Sequence, residues 1–197
     1  MVEEQRQIMR FILASSSTRR KALLKKIIPH FRVFKPTISE NTSNLKNLTP
    51  ERYVQILAYA KTGNIARRVK EGIIIGADTV VCARGKIIGK PGTARRACLI
   101  LKKLSGTKHR VITGVCVLDA KTGRLASGYE ETILRIKKLN PTEIAYLASR
   151  KTHWDKAGGY ALQEKRDPYV KIIRGRLDNA VGLPLALVKR LIISVIN

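Results

Sequence analysis

From Gly72 to Lys90 the chain reads GIIIGADTVVCARGKIIGK, and no other stretch limits its fold as tightly. Three isoleucines and, beyond Asp78 and Thr79, two valines are apolar and β-branched, which predicts a buried strand. Arg84 and Gly85 then mark the turn of a hairpin. Asp78 lies between the two apolar runs. An unpaired carboxylate there would cost several kcal/mol, so the position calls for a cation, a metal or a hydrogen-bond partner. An Asp capping a turn, or pairing with a nearby Lys, would satisfy the same demand. GKP, Gly89 to Pro91, follows the hairpin and carries Lys90 on a backbone loosened by Gly and stiffened by Pro.

Around this strand the chain alternates strands and helices through short connections. Phe11 to Ala14 reads as the end of a buried strand, Ser15 to Ser17 as a turn with an N-cap, and Thr18 onward as a helix with Ala22, Leu23, Ile27 and Ile28 inward. Thr49 and Pro50 open a second helix running towards Val69. TARRACLILKKLSG is an amphipathic helix stopping near Gly106, and His109 to Leu139 reads as paired strands turning at Ala120 to Gly123. Asn140, Pro141 and Glu143 occupy capping-box positions of a further helix, and Pro184 sets the start of the last one. Strands mixed with crossover helices give an α/β fold. There is no internal repeat, low-complexity segment or composition break, so residues 1–197 read as one domain in which residues 1–9 are a polar extension.

Two further stretches carry polar groups of chemical interest. Ser15, Ser16, Ser17, Arg19 and Arg20 sit at a helix N-terminus, where unpaired N–H groups and the helix dipole favour a phosphate or carboxylate. A capped helix with solvated arginines accounts for the same residues. In DKAGGYALQ, Asp155 to Gln163, adjacent glycines beside Lys156 let a backbone approach a ligand closely, with Tyr160 and Gln163 available for stacking or amide hydrogen bonds. A surface turn is again the simpler alternative.

Charge narrows the partners. Lys and Arg number 39 against 14 Asp and Glu, a net charge of +25, which favours polyanions: nucleotides, nucleic acid or anionic membrane. Cys82, Cys98 and Cys116 show no CxxC or Cys/His spacing, so neither a zinc site nor a disulfide framework is expected, and a reducing cytoplasm fits. The N-terminus lacks an apolar core of signal-peptide length, and Lys189 and Arg190 cut the longest C-terminal apolar run, so no membrane segment is expected.

Taken in order, the motifs resemble those of the Maf family of nucleoside triphosphate pyrophosphatases, house-cleaning enzymes also described as septum-formation inhibitors. ILASSSTRRKALL is similar to the family's opening LASxSPRRxxLL, YVQILAYAKT to YVxxLAxxKA, and IIGADTVV to its central motif. IIGKPGTARRACLILKKLSGTKHRVITGV, DKAGGYALQ and NAVGLPL look like the remaining signatures. The resemblance implies a two-lobed, ITPase-like α/β fold with a mixed central sheet, helices on its flanks and a cleft between lobes, commonly dimeric. It implies hydrolysis of a nucleoside triphosphate to the monophosphate and pyrophosphate with a divalent metal, Mg or Mn.

Carried over position by position, Asp78 takes the place of the catalytic acid, proposed as proton acceptor for the attacking water. Ser15, Arg20, Lys61 and Lys90 match the polar positions around the triphosphate, with Lys156 added from the glycine turn. Glu40 and Asp78 are the implied metal ligands. Arg19, Thr79 and Gln163 follow the dTTP/UTP branch, where the 7-methyl-GTP branch has Trp, Gln and Glu. Two readings of other classes stand beside this one: a basic nucleic-acid-binding protein, whose contacts would be nonspecific and salt-dependent, and a non-catalytic regulator of cell division.

Overall fold

The computed structural model describes residues 10–38, 48–160, 162 and 168–197. Glu40 and Gln163 lie outside the described residues. The first elements are β1 (Phe11–Ala14), α1 (Thr18–Lys25), β2 (Arg32–Phe34), α2 (Pro50–Ala66) and β3 (Ile73–Ala83). A tight hairpin leads to β4 (Lys86–Ile88), and its turn holds Arg84 at φ 50 and Gly85 at φ 73, the paired left-handed conformations a two-residue turn requires. Then follow α3 (Ala94–Leu104), β5 (Lys108–Asp119), β6 (Leu125–Ile136), α4 (Pro141–Ser149), β7 (Val170–Arg174), α5 (Leu177–Val181) and α6 (Leu185–Ile196).

These strands form one mixed seven-stranded sheet among the described residues, in the order β2-β1-β3-β5-β6-β7, with β4 paired to β3. β1 runs parallel to β2 and β3, whereas β5, β6 and β7 continue as an antiparallel meander from β3. The expected α/β class, with a mixed sheet flanked by helices, is the one observed.

Helix ends follow the local chemistry. The Ser17, Thr49, Thr93 and Asn140 side chains each accept a backbone N–H three residues on, satisfying one orphan donor of the first turn. At α1 the inward residues are Leu23, Leu24 and Ile28, and Ala22 is exposed, a change from the sequence expectation. α2 stops at Ala66, three residues short of Val69. Pro184 occupies the N-cap of α6 rather than its first turn, and the Asp178 carboxylate accepts the Leu185 N–H at 3.1 Å in its stead.

One face of the sheet is covered by α2, with Val54 over Val80, Cys82 and Ile112 and with Ile65 over Ile12, Ala14 and Ile74. The opposite face carries two apolar clusters. Leu13, Leu24, Ile75, Val115, Leu187 and Leu191 form the first, beneath α1 and α6. Val81, Leu101, Val111, Leu134, Ile144 and Leu147 belong to the second, beneath α3 and α4. On this face β3 passes from Ala77 to Val81 through Thr79, and β5 from Val115 to Val111 through Thr113. Thr79 and Thr113 are direct cross-strand partners. A polar seam at this pair therefore divides the apolar packing on this face into two clusters.

Candidate active site

Strand register brings the site together. β1 ends at Ala14 opposite Gly76, while β3 runs on, so Ala77 to Thr79 project past the end of the parallel pair. Ligands of open α/β sheets bind at such carboxyl ends. The Ser15 to Ser17 turn and the first turn of α1 follow there: Ser15 is buried, its hydroxyl accepts the Ser17 N–H at 3.1 Å, and Ser17 caps the helix.

Asp78 faces α2. Its cross-strand partner is Gly114, and Gly76 is its neighbour two residues back on the same face. Both glycines are required by the helix above them. A Cβ on Gly114 would stand 2.5 Å from the Val54 carbonyl carbon, and one on Gly76 would stand 2.8 Å from the Ala58 carbonyl oxygen. The α2 backbone therefore lies directly on the sheet around Asp78 and delivers Lys61, whose Nζ is 2.5 Å from Asp78 Oδ1. The two side chains keep only 16% and 15% exposure. The partner demanded by a carboxylate in an apolar strand is thus an ammonium from the neighbouring helix.

Thr79 points the other way, into the seam. Arg20 donates through Nη2 to the Thr79 hydroxyl at 3.0 Å and through Nε to the Gly182 carbonyl at 2.8 Å. The hydroxyls of Thr79 and Thr113 are 3.0 Å apart, and Thr113 donates to the Asn179 carbonyl, also at 3.0 Å. Since a hydroxyl has one proton, the chain has one direction: Arg20 donates to Thr79, Thr79 to Thr113, and Thr113 to Asn179. Asn179, fully buried, is fixed in turn by its amide donating to Val111 O at 3.2 Å and to the Thr132 hydroxyl at 2.9 Å. The Arg20 guanidinium is held by two fixed groups, the Thr79 hydroxyl of β3 and the Gly182 carbonyl at the end of α5. Burial lowers its pKa from the ordinary value, opposed by the Asp78 carboxylate and reinforced by Arg19. Arg19 is half-buried and makes no side-chain hydrogen bond or ion pair among the described residues.

The remaining predicted residues sit on two loops joined to each other. Gly92 N–H donates to the Trp154 carbonyl at 3.2 Å, and Gly158 N–H to the Gly89 carbonyl at 3.4 Å. This clamps the GKP loop onto the Asp155 to Gly159 loop, which packs on β3 beside Val81. Lys90 is exposed on the first loop. Lys156 on the second is buried, its ammonium donating to the Thr152 carbonyl and lying 3.4 Å from Asp155. Asp78 with Lys61 on the α2 face and Thr79 with Arg20 on the opposite face are thus two pairs adjacent along β3, coupled through the field of the Asp78 carboxylate on Arg20, with Ser15 and Arg19 at the helix-end border. Lys90 and Lys156 occupy a separate loop pair further along β3.

Residues 10–195 match the Maf-like protein family. The chain belongs to the Maf family. It is 38% identical over 175 residues to the dTTP/UTP pyrophosphatase of Pelotomaculum thermopropionicum, covering 89% of this chain and 91% of that one. It is 42% identical over 175 residues to the dTTP/UTP pyrophosphatase of Ruminiclostridium cellulolyticum, covering 88% and 90%. A third, from Carboxydothermus hydrogenoformans, is 41% identical over 179 residues, with 90% and 94% covered. Thr113, Gly114, Asn179 and Gly182 shape this Maf site without having been singled out from sequence. The signal available was a Thr and a Gly inside the apolar run VITGVCV, and the polar pair Asp178 and Asn179 shortly ahead of GLP.

Proposed function

We propose that this Maf protein hydrolyses dTTP and UTP to the nucleoside monophosphate and pyrophosphate. The observation that carries the reading is the Asp78–Lys61 pair at the carboxyl ends of the parallel strands, near a half-buried arginine and a helix N-terminus. The choice of pyrimidine nucleotides rests on the relatives, all three of which are dTTP/UTP pyrophosphatases.

In this reading the triphosphate lies against the first turn of α1, where Arg20 and Arg19 offset its negative charge and the helix N–H groups point at it. Asp78 orients a water at the α-phosphorus and takes its proton as the new P–O bond forms. The bond to the bridging oxygen breaks and pyrophosphate leaves. Lys61 fixes the carboxylate rotamer, so that one oxygen is held by the ammonium while the other is directed at the water. The threonine chain keeps Arg20 in place, so that no side chain need reorganise as charge develops.

The donor set suits a magnesium or manganese ion. Among the described residues there is no cluster of three or more His, Cys, Asp or Glu. Mg²⁺ commonly takes one or two carboxylates together with triphosphate oxygens, and Asp78 would hold it only through the oxygen that otherwise faces the water, with Glu40, the second implied ligand, outside the described residues. A metal held there would neutralise charge on the departing pyrophosphate.

The test is a panel of nucleoside triphosphates with Mg²⁺ or Mn²⁺, with pyrophosphate and orthophosphate measured separately. The expected result is pyrophosphate from dTTP and UTP with little orthophosphate. Orthophosphate as the primary product would place the cut at the γ-phosphorus and exclude the proposal.

A further inference from the structure

Far from this centre the sheet carries a feature that nucleotide hydrolysis does not use. Lys108 of β5 is the direct cross-strand partner of Arg135 of β6, and Arg135 of Lys171 of β7. Directly opposed residues share a face, so three cations stand in one row, spanning about 10 Å at the usual strand spacing. All three are exposed, and none pairs with a carboxylate of the described residues. Like charges placed opposite one another destabilise a strand pair.

Two residues along the same face, Arg110 shows what neutralisation looks like. It is held by Glu51 of α2 and Glu131 of β6. Helix α2 begins at Pro50, and the row lies past that end of the helix, where no acidic residue answers it among the described residues. Beside the row is an open depression of about 740 Å³, lined by Arg135, Lys137, Lys138, Lys171 and Tyr169 among others. Lys137 is paired with Glu143 at 2.8 Å and lies 5.3 Å from the Tyr169 ring centre, whereas Lys138 has no ion pair among the described residues. Lys108 is six residues along β5 from Gly114, the partner of Asp78, which is about 20 Å at the usual strand rise.

We propose that the Lys108–Arg135–Lys171 row and the adjoining depression bind the backbone of single-stranded nucleic acid. The row is longer than one phosphate group and suits successive phosphates. Three cations side by side on adjacent strands present no helix or ribbon that would enter a duplex groove, whereas the backbone of a single strand can lie along them. The overall charge of +25 draws such a ligand to the protein, and the row gives it a place.

Fluorescence anisotropy with a labelled 15-nucleotide oligouridylate, at 50 and 200 mM salt, tests this on the full chain. Leaving three phosphates of a single strand without their cations should flatten the logarithmic salt slope by about 2. K108E/R135E/K171E should therefore bind at least tenfold more weakly, with the shallower slope. K70E/K121E/K189E, which changes the net charge equally at scattered exposed sites, should stay within threefold of wild type. Both triples should release pyrophosphate at near wild-type rates, which also reports their folding. If the glutamate triple does not fold, R135Q/K171Q replaces it, with a slope change of about 1.4. The proposal is overturned by absence of oligonucleotide binding in the wild type, by equal weakening in both triples, by tighter binding to a duplex of the same length, or by binding to phosphatidylserine vesicles alone.

Discussion

Replacing Gly114 by Ala should damage activity more than stability, and the reason lies in where its methyl group would go. The added Cβ would be 2.5 Å from the Val54 carbonyl carbon and 2.7 Å from the Gln55 nitrogen, both backbone atoms of α2. Carbon atoms settle at about 3.5 Å or beyond, so the helix must lift by about 1 Å. Overpacking of this kind costs about 1–3 kcal/mol. With an unfolding entropy of about 2.1 cal/mol/K per residue, the 197-residue chain should lose about 2–7 °C in Tm. The same lift carries Lys61 away from Asp78, and a displacement of about 1 Å near reacting groups can cost about a hundredfold in rate. Gly63 on the same helix is the control. A Cβ there meets nothing within 4 Å, so Gly63→Ala should gain about 0.4–1 kcal/mol and keep wild-type turnover. Circular dichroism melts and kcat for UTP decide the matter. Wild-type kcat in a folded Gly114→Ala would refute the idea that this glycine sets the Lys61–Asp78 contact.

Other consequences follow from the same packing and hydrogen bonds. Thr113→Val removes the middle of the chain from Arg20 to Asn179, leaving the Thr79 proton without its acceptor while the Asn179 carbonyl keeps the Gly182 N–H; stability should fall by about 1–3 kcal/mol in chemical denaturation, and KM for UTP should rise as Arg20 loosens. Lys61→Met keeps much of the side-chain bulk and strands a mostly buried carboxylate, so kcat should fall at least tenfold, and a kcat within threefold of wild type would remove Lys61 from the mechanism. His109, buried with Nε2 2.6 Å from the Tyr160 hydroxyl, has its pKa lowered to about 4 by burial. The unfolded chain therefore binds a proton that the folded chain refuses between about pH 6.5 and 4, and stability is lost as pH falls through that window, by at most about 3 kcal/mol. His109→Gln should flatten that part of the stability profile in urea titrations at pH 7, 5.5 and 4.5.

What the sequence makes legible here is local or compositional. The Arg84-Gly85 hairpin and the caps at Ser17, Thr49 and Asn140 need only neighbours a few residues away, and they appear as expected. The demand for a partner at Asp78 was also readable, because burial of a carboxylate is costly wherever its partner comes from. Features set by how α2 crosses the sheet were not. Gly76 and Gly114 look like ordinary strand glycines until the helix backbone is seen resting on them. Thr79, matched by resemblance to a base-reading position, has its hydroxyl engaged by Arg20 and Thr113, a role that depends on residues 59 and 34 positions away. Asn179 and Asp178 carry no local signal of their roles, yet one anchors the threonine chain and the other caps α6. At α1, an eight-residue helix offers barely two turns of pattern, which is too few to separate Ala22 from Leu24 as the inward residue.

In the proposed reaction Asp78 directs water at the α-phosphorus, so the solvent oxygen ends in the monophosphate. Turnover of UTP in H₂¹⁸O, with products analysed by mass spectrometry, tests it most directly. One ¹⁸O should appear in UMP and none in the pyrophosphate released, and Asp78→Asn should fold and turn over more slowly by about a hundredfold or more. Label in pyrophosphate or orthophosphate, or a folded Asp78→Asn with wild-type turnover, would contradict it.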